Sequence, residues 1–182
     1  TFPYDGKAHG ATVAVSTLPE GYTLETAKSN DTATNVAEGT VTADCDVLVI
    51  KNAKGEDVTS KLNIKYVDGS IKITPVTLTV KTPTESKVYD GKALTAEGSI
   101  SGFVNGETAT FTTTGTQTAV GSSSNTYSLV WDKTAVKSNY TVSEDLGTLT
   151  VTEYAKEIVV TTTGGTFPYD GKAHGATVAV ST

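Results

Sequence analysis

The sequence has no Met and no Arg, one Cys (Cys45), one Trp (Trp131) and two His. A stretch without Met reads as an internal piece of a longer chain. All 14 basic residues are Lys, and the net charge is −6. Phosphate and nucleic-acid recognition favour a basic surface and the bidentate guanidinium fork, so neither is expected here. A single Cys cannot form an internal disulfide, which leaves the redox compartment open. The two histidines, His9 and His174, occupy the same position of a repeated sequence. One His per repeat makes neither a catalytic triad nor a metal cluster. There is no GxSxG elbow and no HExxH, so catalytic, cofactor-binding and metal-ligating residues are all expected to be none, and the chain is expected not to be an enzyme. No apolar run approaches the roughly 18–20 residues of a membrane span, and no signal-peptide pattern is present; contact with a membrane by this segment is not expected.

What the sequence does have is threonine, about a fifth of the chain, together with much valine. These β-branched residues suit a pleated sheet, and Thr keeps its outer face soluble. It also has repeats. The triplet Tyr-Asp-Gly occurs as Tyr4, Asp5, Gly6; as Tyr89, Asp90, Gly91; and as Tyr169, Asp170, Gly171. The spacings are 85 (89 − 4) and 80 (169 − 89) residues, and each triplet runs into Lys-Ala. IKYVDGSIKI at 64–73 aligns without a gap on VSEDLGTLTV at 142–151. The seventeen residues TFPYDGKAHGATVAVST open the chain and recur at 166–182. The spacing predicts a first repeat module over 1–75, a second over 76–154, and the start of a third over 155–182. The first lacks its leading strand, because the chain starts at Thr1.

Alternation predicts strands in VTLTVKT, SIKIT, TLTVT, EIVVTTT and ATVAVST, and more weakly in YSLVWDK and DVLVIK. Asp-Gly and Asn-Gly pairs separate them, supplying the positive φ angles of tight turns. Short helical turns are predicted at 25–29 and in AKGEDVTSK, where Asp57 or Thr59 could cap. Each module of roughly 80 residues buries only about 60% of its unfolded surface, so stacking on a neighbour would help it. The expected fold is all-β: two tandem small β-sandwich-like (Ig-like) modules in an elongated array, plus a partial third. The alternative is a β-grasp-like α+β module. Parallel pairing of first and last strands, VTLTV with TLTVT, suits both.

SKVYDGKALTAEGSISGFVNGETATF, followed by AVG, SNYTV and LGTLTVT, resembles the YDG and MBG-type repeats of bacterial cell-surface adhesins, which are mucin-binding-protein-like. The first copy, with FPYDGKAHG and IKNAKGEDVTSKLNIKYVDGSIKIT, resembles another branch of that group. The resemblance implies an extracellular protein anchored at a bacterial cell surface or cell wall, in which tandem modules form a stalk or carry adhesive contacts. It implies as partners the neighbouring modules of the parent chain and, in the adhesive reading, host glycans or mucin-type glycoproteins. It assigns no ligand-binding residues.

The Tyr of each triplet has two readings: an exposed platform for sugar stacking, or a ring packed on the small core while Asp-Gly closes a turn. Recurrence at a strand–turn junction favours the second. Trp131, on one face with Tyr127 and Leu129, and Tyr140, which aligns with Leu62, read as core positions. In TVTADCDVLVI, Cys45 shares a strand face with Val47 and Val49 and reads as a small half-buried hydrophobe, while Asp44 and Asp46 alternate on one face. SNDTATN at 29–35 comes nearest to a calcium loop without the DxDxDG pattern. A Lys–Asn crosslink finds no matched pair, since Asn139 aligns with Lys61. The 155–182 tail carries the strand that the first module lacks. It is expected to extend the second module or to complete a neighbouring molecule's first module head to tail.

Overall fold

A computed structural model describes residues 1–181. The fold is all-β: the only helices among the described residues are single 3-10 turns at Val36–Glu38, Thr59–Lys61 and Lys137–Asn139, so a β-grasp helix is absent there. The first repeat holds β1 (Phe2–Pro3), β2 (His9–Gly10), β3 (Thr23–Lys28), β4 (Thr32–Ala33), β5 (Thr40–Ala43), β6 (Val47–Lys51) and β7 (Gly69–Thr74). The second holds β8 (Val76–Lys81), β9 (Glu85–Val88), β10 (Ser99–Ser101), β11 (Thr110–Thr113), β12 (Gly121–Ser124), β13 (Tyr127–Val130), β14 (Tyr140–Asp145) and β15 (Thr148–Thr152). The tail adds β16 (Val159–Thr163) and β17 (Thr177–Ser181).

The two repeats pair their strands alike. In the first, β7 lies between β1, parallel, and β5, antiparallel. In the second, β15 lies between β9, parallel, and β12, antiparallel. Phe2 opposite Ile73 corresponds to Lys87 opposite Val151, 85 and 78 residues further along. The β3–β6 pair answers to β11–β13, and β2–β4 to a single bridge between Leu94 and Gln117. One sheet of the second repeat has no such counterpart: β10-β8-β14, with its leading strand in the middle.

The expected pairing of VTLTV with TLTVT is corrected. β8 runs parallel to β14, with Thr77 opposite Thr141, and TLTVT runs parallel to β9, with Thr150 opposite Ser86. The partners are 64 residues apart in both ladders (141 − 77 and 150 − 86). Both long strands break at the same place. Pro83 has no N–H to give a ladder, and Gly147 N–H turns to Thr82 O at 2.9 Å instead. Three other expectations also change. Of the stretch 25–29, residues 25–28 are strand, because β3 pairs along β6 with a bulge at Leu24/Thr26. TVTADCDVLVI is two strands, because Asp31 and Asp46 carboxylates take the backbone N–H groups of Asp44 and Asn30 that a ladder would use. And 11–17 carries no strand, although the identical 176–182 contains β17.

Packing groups the chain differently from the linear repeats. One unit comprises Thr1–Lys81, Gly98–Thr112 and Ser128–Asp145; the other comprises Thr82–Glu97, Thr113–Tyr127 and the chain from Leu146 on. The line at 75/76 is therefore no packing boundary. In the first unit a single buried cluster takes Tyr4, Ala33, Ala43, Ile71 and Ile73 from the first repeat and Leu78, Ala135 and Tyr140 from the second. The alternation in SIKIT and VTLTV produces this: every second residue turns inward, and Ile71, Ile73, Leu78 and Val80 are buried.

In the second unit Leu149 and Val151 of β15 are buried beside the fully buried Asn125. The Asn125 side-chain amide donates to Pro83 O at 3.1 Å and Ala96 O at 3.0 Å, and the Asn125 backbone carbonyl accepts from Thr82 Oγ1 at 2.7 Å. The tail does not extend the second repeat. β16 and β17 form a two-stranded sheet with each other, Val160 opposite Val180, and every described residue from 152 on is exposed.

Candidate functional site

The Tyr-Asp-Gly triplet builds the same turn three times. Gly6, Gly91 and Gly171 sit at φ +76°, +76° and +72°, a region that side chains other than glycine's resist. In each copy the aspartate accepts the N–H of the lysine two residues on, at 3.0 Å (Asp5), 2.9 Å (Asp90) and 3.0 Å (Asp170). Each carboxylate also faces a nitrogen side chain: His9 Nε2 at 2.9 Å, Lys87 Nζ at 2.6 Å and His174 Nε2 at 2.9 Å. The His9 contact holds the Asp5 carboxyl below its ordinary range, and Lys87 does the same for Asp90. For Asp170 the Lys172 N–H contributes most, with His174 next. In the outer copies an aromatic ring stacks on the histidine, Phe2 on His9 at 4.4 Å and Phe167 on His174 at 4.2 Å.

The three tyrosines differ. Tyr4 is 5% exposed, Tyr89 48% and Tyr169 98%. Core packing therefore describes Tyr4 and is corrected for Tyr89 and Tyr169, because a ring buries only where a partner surface reaches it. That surface for Tyr4 comes from the second repeat. Glu107, itself buried, accepts a short hydrogen bond from Tyr4 Oη on one carboxylate oxygen and one from Tyr140 Oη at 2.8 Å on the other. Tyr4 meets Tyr140 edge-on at 5.7 Å, and Phe103 and Trp131 pack around Tyr140 at 5.4 and 6.0 Å. Tyr140 and Trp131 are thus packing residues, as their patterns indicated.

A second clasp lies in the same unit. The fully buried Asn139 accepts the Val36 N–H at 2.9 Å and donates to Asn35 Oδ1 at 2.9 Å. The turn itself presses on the second repeat, since a Cβ on Gly6 would lie 2.4 Å from the Asn105 side chain. Glu107 and Asn139 were missed in the sequence. Each is a lone polar residue outside any alternating run, and only its burial reveals it.

Burial, reinforced by the Glu107 hydrogen bond, pushes the Tyr140 hydroxyl up to about 12; the same two causes raise Tyr4. A phenol whose folded pKa lies above its unfolded value stabilises the fold fully below pH about 10 and loses that contribution as the pH climbs to about 12. Stability is therefore expected to fall above pH 10, by up to about 1.4 kcal/mol per pH unit for each such tyrosine. Urea titrations of the native protein and of Tyr140→Phe between pH 9 and 12 check this; the variant is expected to show the shallower slope.

Elsewhere, the Asp31, Asp44 and Asp46 carboxylates converge within 4.8 Å, and the charges of Asp46 and Asp31 raise the Asp44 carboxyl. Asp44 and Asp46 thus lie in the loop between β5 and β6 and not along one strand face. Cys45, between them, is half-buried, with its thiol 3.5 Å from Val47 O.

These residues define an all-β repeat module whose signature triplet forms a turn and, in its first copy, fastens one repeat to the next. Residues 78–150, from within β8 to within β15, match the family described as MBG domain (YGX type), which supports reading this stretch as a surface-protein repeat module. No curated protein and no solved structure matches the chain.

Proposed function

We propose that this chain is a load-bearing stretch of tandem modules in an extracellular protein of a bacterial surface, a non-catalytic stalk that holds an adhesive region away from the cell wall. The observation that carries this reading is the parallel pairing of opening and closing strands in the second repeat, β8 with β14 and β9 with β15. Tension applied at the start of the repeat and at its end runs along such strands in opposite directions. The hydrogen bonds of a ladder are then loaded together and must shear together, whereas a pair pulled from one end opens bond by bond. Glu107 and Asn139 support the reading too, because they tie the first repeat to the second with buried polar contacts.

The competing reading has the modules themselves bind host glycans or mucin-type glycoproteins. It needs an exposed surface common to the copies, and the triplet tyrosine is buried in one copy and half-exposed in the next. A glycan array that includes mucin-type sugars, probed with the whole chain, separates the two. No binding is expected. Saturable binding to one sugar class would replace the stalk with an adhesin.

A further inference from the structure

The connection between β10 and β11 turns at Asn105-Gly106, with φ +53° and +69°, and the Glu107 N–H closes the turn on Val104 O at 2.9 Å. Asn105 is the only residue other than glycine at positive φ among the described residues. Of the seven asparagines in the sequence, it is also the only one that precedes a glycine. Its side chain lies on the first repeat's triplet. A Cβ added to Gly6 would meet Asn105 Nδ2 at 2.4 Å and Cγ at 2.6 Å.

A side-chain amide can form a five-membered ring with the backbone nitrogen of the next residue. Glycine, with no Cβ, hinders that approach least. Both reacting groups are unengaged at this pair. Among the described residues no hydrogen bond holds the exposed Asn105 carboxamide or the Gly106 N–H. The ring closes when the turn opens locally, which an exposed connection does far more often than the core. The other asparagines are held back. Asn125 and Asn139 are 0% exposed, and their side-chain amides donate to Pro83 O and Asn35 Oδ1. The amides of Asn35 and Asn52 donate to Glu38 and Glu56. Asn30 and Asn63 precede Asp31 and Ile64, whose side chains crowd the attack. The Asp-Gly triplets share the glycine but not the reactivity. Each carboxylate accepts the N–H of the lysine two residues on and is held in its charged form, a poor electrophile.

We propose that Asn105 is a self-modification site, where the chain converts its own asparagine to aspartate and isoaspartate and so loosens the hold of the second repeat on the first. Gly106 N gives up its proton and bonds to Asn105 Cγ, while the Cγ–Nδ2 bond breaks and Nδ2 takes a proton and leaves as ammonia. Water then cleaves one of the two C–N bonds of the cyclic imide. Cleavage at Cγ leaves aspartate in a normal backbone. Cleavage at the original backbone carbonyl leaves isoaspartate, with one more carbon in the main chain. Aspartate sets a charge against Gly6, next in the chain to the charged Asp5, and like charges repel. Isoaspartate lengthens the chain two residues before Glu107, whose carboxylate takes the hydroxyls of Tyr4 and Tyr140.

The test is to hold the native chain at mildly alkaline pH and physiological temperature and follow its mass, since each conversion exchanges NH2 for OH, a gain of about 1 Da. Peptide mapping is expected to find more conversion at 105 than at the other six asparagines together, as a mixture of aspartate and isoaspartate. The converted fraction, separated by anion exchange on its added charge, is expected to unfold at a lower urea concentration than the unconverted one. Asn105→Asp carries the charge without the longer backbone; it is expected to fold, because Asp tolerates positive φ, and to lose most of the mass gain. A native chain that keeps the Asn105 amide while a peptide of residues 102–108 loses its own would overturn the proposal. So would conversion spread evenly over the asparagines, an undiminished mass gain in Asn105→Asp, or a converted fraction with the native urea midpoint.

Discussion

Replacing Glu107 with Ala is expected to destabilise the first unit by about 2–6 kcal/mol, since each of the two buried phenol hydroxyls left without an acceptor costs about 1–3 kcal/mol. Against a typical domain stability of about 5–15 kcal/mol, that is a large fraction. Glu107→Gln keeps an acceptor oxygen and is expected to recover part of the loss. Tyr169→Phe, at a fully exposed copy of Tyr4, is expected to stay within about 0.5 kcal/mol of the native protein. Urea unfolding followed by Trp131 fluorescence reads all three, because that ring stacks on Tyr140. The location of the loss matters as much as its size. Glu107 belongs to the second repeat by sequence, yet it holds Tyr4 of the first. Hydrogen exchange is therefore expected to show β7 amides losing protection together with those of β8 in Glu107→Ala. A loss confined to β8 would mean that the repeats fold separately.

The second large effect is expected at Gly147, where the limit is space. A Cβ added there would lie 2.2 Å from both the carbonyl carbon and the oxygen of Pro83, and 2.5 Å from Thr84 N. These are backbone atoms in the stretch where both long strands break, so no side chain can swing aside. Overpacking usually costs about 1–3 kcal/mol, and Gly147→Ala is expected at or above the top of that range. Its aligned partner gives the control: a Cβ on Gly69 would meet nothing closer than Ala43 O at 3.7 Å. Gly69→Ala is expected to change stability by less than about 1 kcal/mol in either direction. Equal effects at the two glycines would show that the strand break does not depend on close approach at Gly147.

Much of this was legible in the sequence. Period-two alternation found β7, β8, β15 and β16, and the equal spacing of triplets and GSIKI/GTLTV stretches gave equivalent pairings in both repeats. The Asp-Gly turns followed from the need for positive φ. Pairing partners were less legible, because VTLTV and TLTVT look suited to each other and only the Pro83 and Gly147 break shifts the ladder. The strand state of ATVAVST was illegible in principle: identical residues are strand at 177–181, where they pair with β16, and not strand at 11–17. The clasp was hidden for a different reason. Glu107 and Asn139 carry no periodic signal, and Tyr4 and Tyr169 share their local sequence while standing at opposite extremes of burial.

Load-bearing by sheared parallel strands can be measured directly by pulling single molecules through cysteine handles in a Cys45→Ser background. Handles at Thr77 and Asp145 stress the β8–β14 ladder along its length, and handles at Thr77 and Thr141 peel it from one end, since those two residues are partners in register. All three side chains are exposed, so the handles leave the core intact. The lengthwise pair is expected to rupture at clearly higher force than the peeling pair. Equal, low forces in both directions would contradict a stalk built to carry tension.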